Sequence, residues 1–110
     1  MKLSEKQQIF TRNLVKLLQY AFEQGYEVTL GEAWRTPEQQ KIHFDNGLTK
    51  TMNSQHLNRM AIDINIFKMG IFLTQPYAYQ KLGKYWKTLH PKNVSGSDWG
   101  WDFNHFEMKL

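Results

Sequence analysis

Ala61-Ile62-Asp63-Ile64-Asn65-Ile66 decides how this chain is read. Apolar and polar residues alternate strictly, the two-residue period of a strand buried on one face. Ile62, Ile64 and Ile66 face a core, and Ala61, Asp63 and Asn65 share the opposite face. Met69-Gly70 turns the strand back into Ile71-Phe72-Leu73. Upstream, Ser4 to about Gln24 reads as an amphipathic helix. Ser4-x-x-Gln7 has the form of a capping box, Phe10, Leu14, Leu17, Leu18, Ala21 and Phe22 fall on one face, and Gly25 supplies the stop. Glu27 to Leu30 is a short strand. Thr36-Pro37-Glu38-Gln39 combines a cap, a first-turn proline and a reciprocal glutamine, so a second helix starts there and ends at Gly47. Leu48 to Gln55 is polar and aperiodic, a loop. Thr74 or Gln75 before Pro76 opens a third helix with Ala78, Leu82, Tyr85, Trp86 and Leu89 on its buried side, and Pro91 follows its end. Val94 to Gly100 reads as a Gly/Ser loop and Trp101 to Glu107 as a last strand. The sum is an α+β fold, a small antiparallel sheet with helices packed on one side.

The 110 residues make one domain, 1–110, with no room for a second. The absence of cysteine excludes a disulfide framework, thiol catalysis and thiolate metal sites, while a metal held by His and carboxylate ligands stays open. A net charge of +4 favours contact with a polyanion, of which nucleic acid, anionic lipid and anionic cell-wall polymer are the candidates. The basic residues are scattered, however, as on an ordinary solvated surface. The polar start Met1-Lys2-Leu3-Ser4-Glu5-Lys6 lacks the apolar core of a signal peptide, and no stretch approaches the ~20 apolar residues that span a bilayer. The expectation is a chain made in the cytoplasm without membrane insertion; if it acts outside, another factor releases it.

Reactive residues concentrate in Trp34-Arg35-Thr36, in Ser54-Gln55-His56 through Ala61-Ile62-Asp63, and in Asp102-Phe103-Asn104-His105-Phe106-Glu107. A carboxylate such as Asp63 on the inner part of a sheet needs water, a cation or a metal; on an outer face it is merely solvated. His56 stands where the loop enters that strand. Asp102 and His105 address one site only if the backbone turns between them, because residues three apart in a strand point to opposite faces. Two histidines and one carboxylate with an open fourth position are the ligand set of a catalytic zinc. Such a site needs a nearby base, for which Asp102 and Glu107 both qualify. Arg35 offers a permanent charge and a planar fork of donors, suited either to a developing oxyanion or to a surface salt bridge. His43 and His90 read as structural, and Trp99 and Trp101 as core rather than cleft wall.

The combination Ser54-x-His56 with Ala61-Ile62-Asp63, followed by Asp102-x-x-His105, resembles the zinc peptidases of the D-alanyl-D-alanine carboxypeptidase group. That group includes vancomycin-resistance dipeptidases and phage endolysins that cut the L-alanyl-D-glutamate bond. Arg35-Thr36, Gln40, Leu57-Asn58-Arg59-Met60, Leu89-His90-Pro91 and Asn104-His105-Phe106-Glu107 extend the match from Arg35 to the end, closest in kind to the small phage and prophage members. The resemblance implies a hedgehog/D,D-peptidase-like fold, with His56, Asp63 and His105 on Zn2+ and Asp102 as general base. It also implies that Arg35 faces the substrate carbonyl oxygen and that Ser54 lies near bound substrate. Many members carry Gly where this chain has Arg59. Glu107, two residues after His105, is expected to orient that ligand.

The function expected is zinc-dependent hydrolysis of a peptide bond in peptidoglycan stem peptides, by a monomer of phage or prophage endolysin type. A catalytically silent, metal-stabilised wall-binding module of the same fold is the alternative, and the presence of Asp102 beside the ligand set speaks against it. A nucleic-acid binder would rest on charge and aromatics alone, with no recognised motif, so no nucleic-acid partner is expected.

Overall fold

The computed structural model describes residues 1–49 and 54–110. Helix α1 spans Leu3–Glu23, β1 Glu27–Leu30, α2 Pro37–Asp45, β2 Ala61–Lys68, β3 Ile71–Phe72, α3 Pro76–Leu89, β4 Asn93–Ser95 and β5 His105–Met108. Two short 3-10 turns, Gln55–Asn58 and Gly96–Trp99, precede β2 and β5 respectively. The sheet is antiparallel in the order β1-β2-β5-β4, with β3 also on β2.

The alternation in β2 sets the two faces. Ile62, Ile64 and Ile66 are buried with Phe106 and Met108 of β5. Against them pack Phe10, Leu17 and Ala21 of α1 and Ala78, Tyr79, Leu82 and Trp86 of α3. This is the expected α+β arrangement, with both long helices feeding one core. Trp86 anchors it: its ring meets Phe10 and Phe106 edge-on, and its indole N–H donates to the Glu107 carbonyl at 2.9 Å. Truncating so buried an aromatic to alanine costs roughly 3–5 kcal/mol. The opposite face carries Asp63 directly across from His105, and Ala61 across from Glu107.

Several boundaries differ from the sequence reading. Helix α1 begins at Leu3, so Ser4 lies inside it; Glu5 rather than Gln7 reaches back, accepting the Lys2 N–H at 3.1 Å. Phe22 is exposed, because the core-facing stripe runs through Asn13, Leu17 and Ala21 instead. The Thr36 cap forms as expected, with both arms of its box closed by Gln39. Met69 and Gly70, both at positive φ, make the tight turn into β3. Of the loop expected over Leu48 to Gln55, residues 50–53 lie outside the described residues and Gln55 already starts a 3-10 turn. Val94 and its neighbours form β4, a strand hidden in a polar sequence; it pairs with β5 from Asn93 to Ser95. The last strand starts at His105, not Trp101, because the chain turns first: the His105 N–H bonds back to the Asp102 carbonyl. Among the described residues no helix is long and apolar enough to cross a membrane.

Candidate metal centre and active site

His56, Asp63 and His105 come together at the mouth of the sheet, their ligand atoms within 4.8 Å of one another. Each is delivered by a different local device. Ser54 caps the 3-10 turn that carries His56, its Oγ accepting the His56 N–H at 3.2 Å. Asp63 is locked in β2 on its other edge, donating its N–H to the Glu32 carbonyl and accepting from Gly31. The register across β2 and β5 then puts His105 opposite Asp63.

Both imidazoles turn a nitrogen toward one carboxylate oxygen. His56 Nε2 lies 3.3 Å and His105 Nδ1 3.4 Å from Asp63 Oδ1. The far nitrogen of His105 meets Glu107 Oε1 at 2.7 Å in a buried contact. Burial alone would lower the His105 pKa, but the Asp63 and Glu107 carboxylates overcome it and raise the value to about 9. Burial likewise works to raise Asp63, and the two histidines instead hold it down at about 2. Without a metal, then, a proton on His105 ties its ring to the Asp63 and Glu107 carboxylates. The donor set fits a divalent cation such as zinc: two nitrogens and one oxygen converge, Glu107 fixes which His105 nitrogen faces inward, and the cleft leaves an approach open.

Asp102 stands just outside the triad, Oδ2 lying 3.8 Å from His105 Nδ1. Burial raises its pKa, with His105 opposing. Arg35, also buried, is gripped from two sides: its Nε pairs with Glu32 and its Nη1 donates to Gln40 Oε1 at 2.7 Å. Its main-chain N–H bonds the His56 carbonyl, so the arginine and the first histidine move as one. Arg35 therefore is salt-bridged, yet inward and in the cleft rather than on the outer surface. All six residues singled out in the sequence (Arg35, Ser54, His56, Asp63, Asp102 and His105) line one cleft of about 330 Å³.

The cleft also holds residues whose part was missed. Trp99 and Trp101, read as core, are about two-fifths exposed (42% and 44%) and form its wall. Their rings are tilted 30° to each other with centroids 6.2 Å apart, and Trp99 rests against His105 at 5.1 Å. Glu32 was not singled out, and nothing in its sequence context marks it. Gly96 is the hidden element: a Cβ there would sit 1.8 Å from the Asp102 carbonyl oxygen. Only glycine lets the turn bearing Asp102 close over the sheet. Arg59, at φ 56, occupies the left-handed conformation that glycine adopts freely, and its guanidinium lies over Trp34 at 4.8 Å. That contact explains how a non-glycine residue is kept there. His43 and His90 stay apart from the cluster; His90 Nδ1 accepts the Lys92 N–H.

No protein-family model matches the chain. Over 91 residues, 83% of this chain, it is 33% identical to the L-alanyl-D-glutamate peptidase of Listeria phage A118, of whose length it spans 31%. In fold it is similar to the L-Ala D-Glu endopeptidase ChiX of Serratia marcescens, with TM-score 0.70 and 19% identity over 89% of this chain and 79% of that one. It is also similar to the vancomycin-resistance D,D-pentapeptidase VanY in complex with Zn(II), with TM-score 0.63 and 17% identity over 90% of this chain and 70% of that one. In sequence and in fold, the chain thus bears the resemblance that its motifs announced, to the L-alanyl-D-glutamate peptidase and D,D-peptidase group.

Proposed function

We propose that residues 1–110 form a single zinc peptidase domain that hydrolyses a peptide bond in peptidoglycan stem peptides, in the service of phage or prophage lysis. The observation that carries this is the convergence of His56, Asp63 and His105 in one cleft with Asp102 and Arg35. The similarity to a phage L-alanyl-D-glutamate peptidase and to two wall-peptide peptidase structures supports it. The domain acts as a monomer in this reading. The mild positive charge suits an anionic wall.

His56, Asp63 and His105 would hold the metal, and Glu107 would keep the His105 ring in place. Zinc bound there supplies Lewis acidity, polarising the carbonyl and acidifying water. Asp102 takes a proton from the attacking water as its oxygen bonds to the carbonyl carbon, and returns it to the leaving amine as the C–N bond breaks. Arg35, already fixed by Glu32 and Gln40, presents its remaining donors to the carbonyl oxygen as negative charge grows there. Ser54 borders the bound peptide while holding the His56 turn.

Incubating the zinc-loaded protein with purified peptidoglycan and identifying new termini by mass spectrometry tests the reading. New amino and carboxyl termini within stem peptides, abolished by chelation, are expected. Binding to the wall with no new termini would instead favour the silent binding module.

A further inference from the structure

Beyond the metal cluster, one edge of β2 lacks a continuous strand partner. Strand β5 pairs with Ala61, Ile62 and Asp63, and β3 pairs with Phe67 and Lys68 on the same edge. Between them the backbone is capped piecemeal: the Ile64 N–H by the Asn104 carbonyl, the Ile66 N–H by the Tyr79 hydroxyl and the Ile66 carbonyl by the Leu73 N–H. This gap opens as a groove of about 220 Å³. Trp101 borders both the groove and the metal cleft, so the two adjoin at its ring.

The chemistry of the groove differs from that of the cleft. No charged side chain lines it among the described residues; its walls are Phe72, Phe103 and Trp101, with the amides of Asn65 and Asn104. Asn104 Nδ2 donates to Asn65 Oδ1 at 3.3 Å, which leaves the Asn65 amide N–H and the Asn104 side-chain carbonyl to meet one peptide group. Asn65 is two residues beyond Asp63 on the same face of β2, and Asn104 immediately precedes His105. A substrate terminus ending here would exchange part of a carboxylate's water for aromatic rings and amides, with no cation to receive it, which is unfavourable. A neutral continuing chain meets no such penalty.

We infer that this groove is a binding subsite for the substrate chain beyond the cleaved bond, selecting an uncharged residue there. The cleft then accommodates peptide on both sides of the metal cluster, as an endopeptidase requires, and does not end at a terminal carboxylate. This rests on the peptidase reading of the same site.

The test uses soluble stem peptides extended at either end by a neutral or an acidic residue, with the zinc-loaded protein. A neutral extension at one end should raise kcat/KM roughly tenfold or more, and an acidic one at that end should not. Phe72→Ala and Asn65→Ala should each shrink that ratio, with Phe72, half-exposed, the variant least prone to misfold. Cleavage of all peptides with no extension effect, or an effect undiminished in both variants, overturns the inference. If no peptide is cleaved, the peptidase reading fails. Binding by calorimetry then decides the groove separately: tighter binding of the neutral extended peptide, weakened by Phe72→Ala, sustains it, and equal binding of all peptides removes it.

Discussion

Glu107 Oε1 meets His105 Nε2 at 2.7 Å on the open face of β5, and this buried contact dictates which nitrogen of His105 faces Asp63. A ring so anchored is ready to bind a metal without first being ordered. Glu107→Gln, which weakens the acceptor, should lower zinc affinity by about 10–100-fold. At saturating zinc most turnover should return. Competition with a chromophoric chelator measures the affinity; unchanged binding would strip Glu107 of its orienting role.

Gly96 and Asp102 meet backbone to backbone. Gly96→Ala would set a methyl 1.8 Å from the Asp102 carbonyl, so the turn must move and carry Asp102 and His105 with it. Activity should be lost and the melting temperature should fall. A variant with wild-type melting and turnover would show that the turn has slack that the packing denies.

Arg35→Lys should fold and bind zinc normally while kcat falls about 10²–10³-fold. A single ammonium cannot bond Glu32 and Gln40 and still present a planar fork to the cleft. Steady-state kinetics with a matched zinc determination checks this. Wild-type kcat in the lysine variant would reduce Arg35 to a structural ion pair.

The metal-free protein should show a particular pH profile. His105 is raised from an ordinary 6.5 to about 9, so its contribution to stability is complete below 6.5 and is lost as pH rises through 9. Asp63, lowered from 3.8 to about 2, contributes above 3.8 and ceases to as pH falls through 2. Stability of the metal-free form should therefore decline between 6.5 and 9. Zinc must displace the His105 proton, so the zinc-induced gain in melting temperature should widen across that window. Thermal melts with zinc and with chelator measure it; a gap that narrows with rising pH would contradict the assignment.

What was legible in the sequence follows from which physical signals are local. The Ile62-Asp63-Ile64 alternation, the Thr36-Pro37 cap and the Met69-Gly70 turn each report on a few neighbouring residues, and all three form as read. Spacing alone left the site open; the resemblance of the motifs singled out His56, Asp63 and His105, and the structure gathers those three in one cluster. Strand β4 was not: Asn93-Val94-Ser95 has almost no apolar pattern and is a strand because β5 and α3 hold it there. Gly96, Glu32 and the exposure of Trp99 and Trp101 depend on contacts between distant segments, to which no local pattern is sensitive.

The central claim, a metal held by His56, Asp63 and His105 with Asp102 as the separate base, is tested most directly by zinc content and turnover measured together on Asp102→Asn. The amide keeps size and hydrogen bonding but cannot take the proton. Zinc should remain near one per chain, as metal loss is expected instead from His56→Ala, Asp63→Ala or His105→Ala, and turnover should fall on the order of 10²–10⁴-fold. An Asp102→Asn protein that sheds its zinc, or that keeps wild-type turnover, would contradict the account.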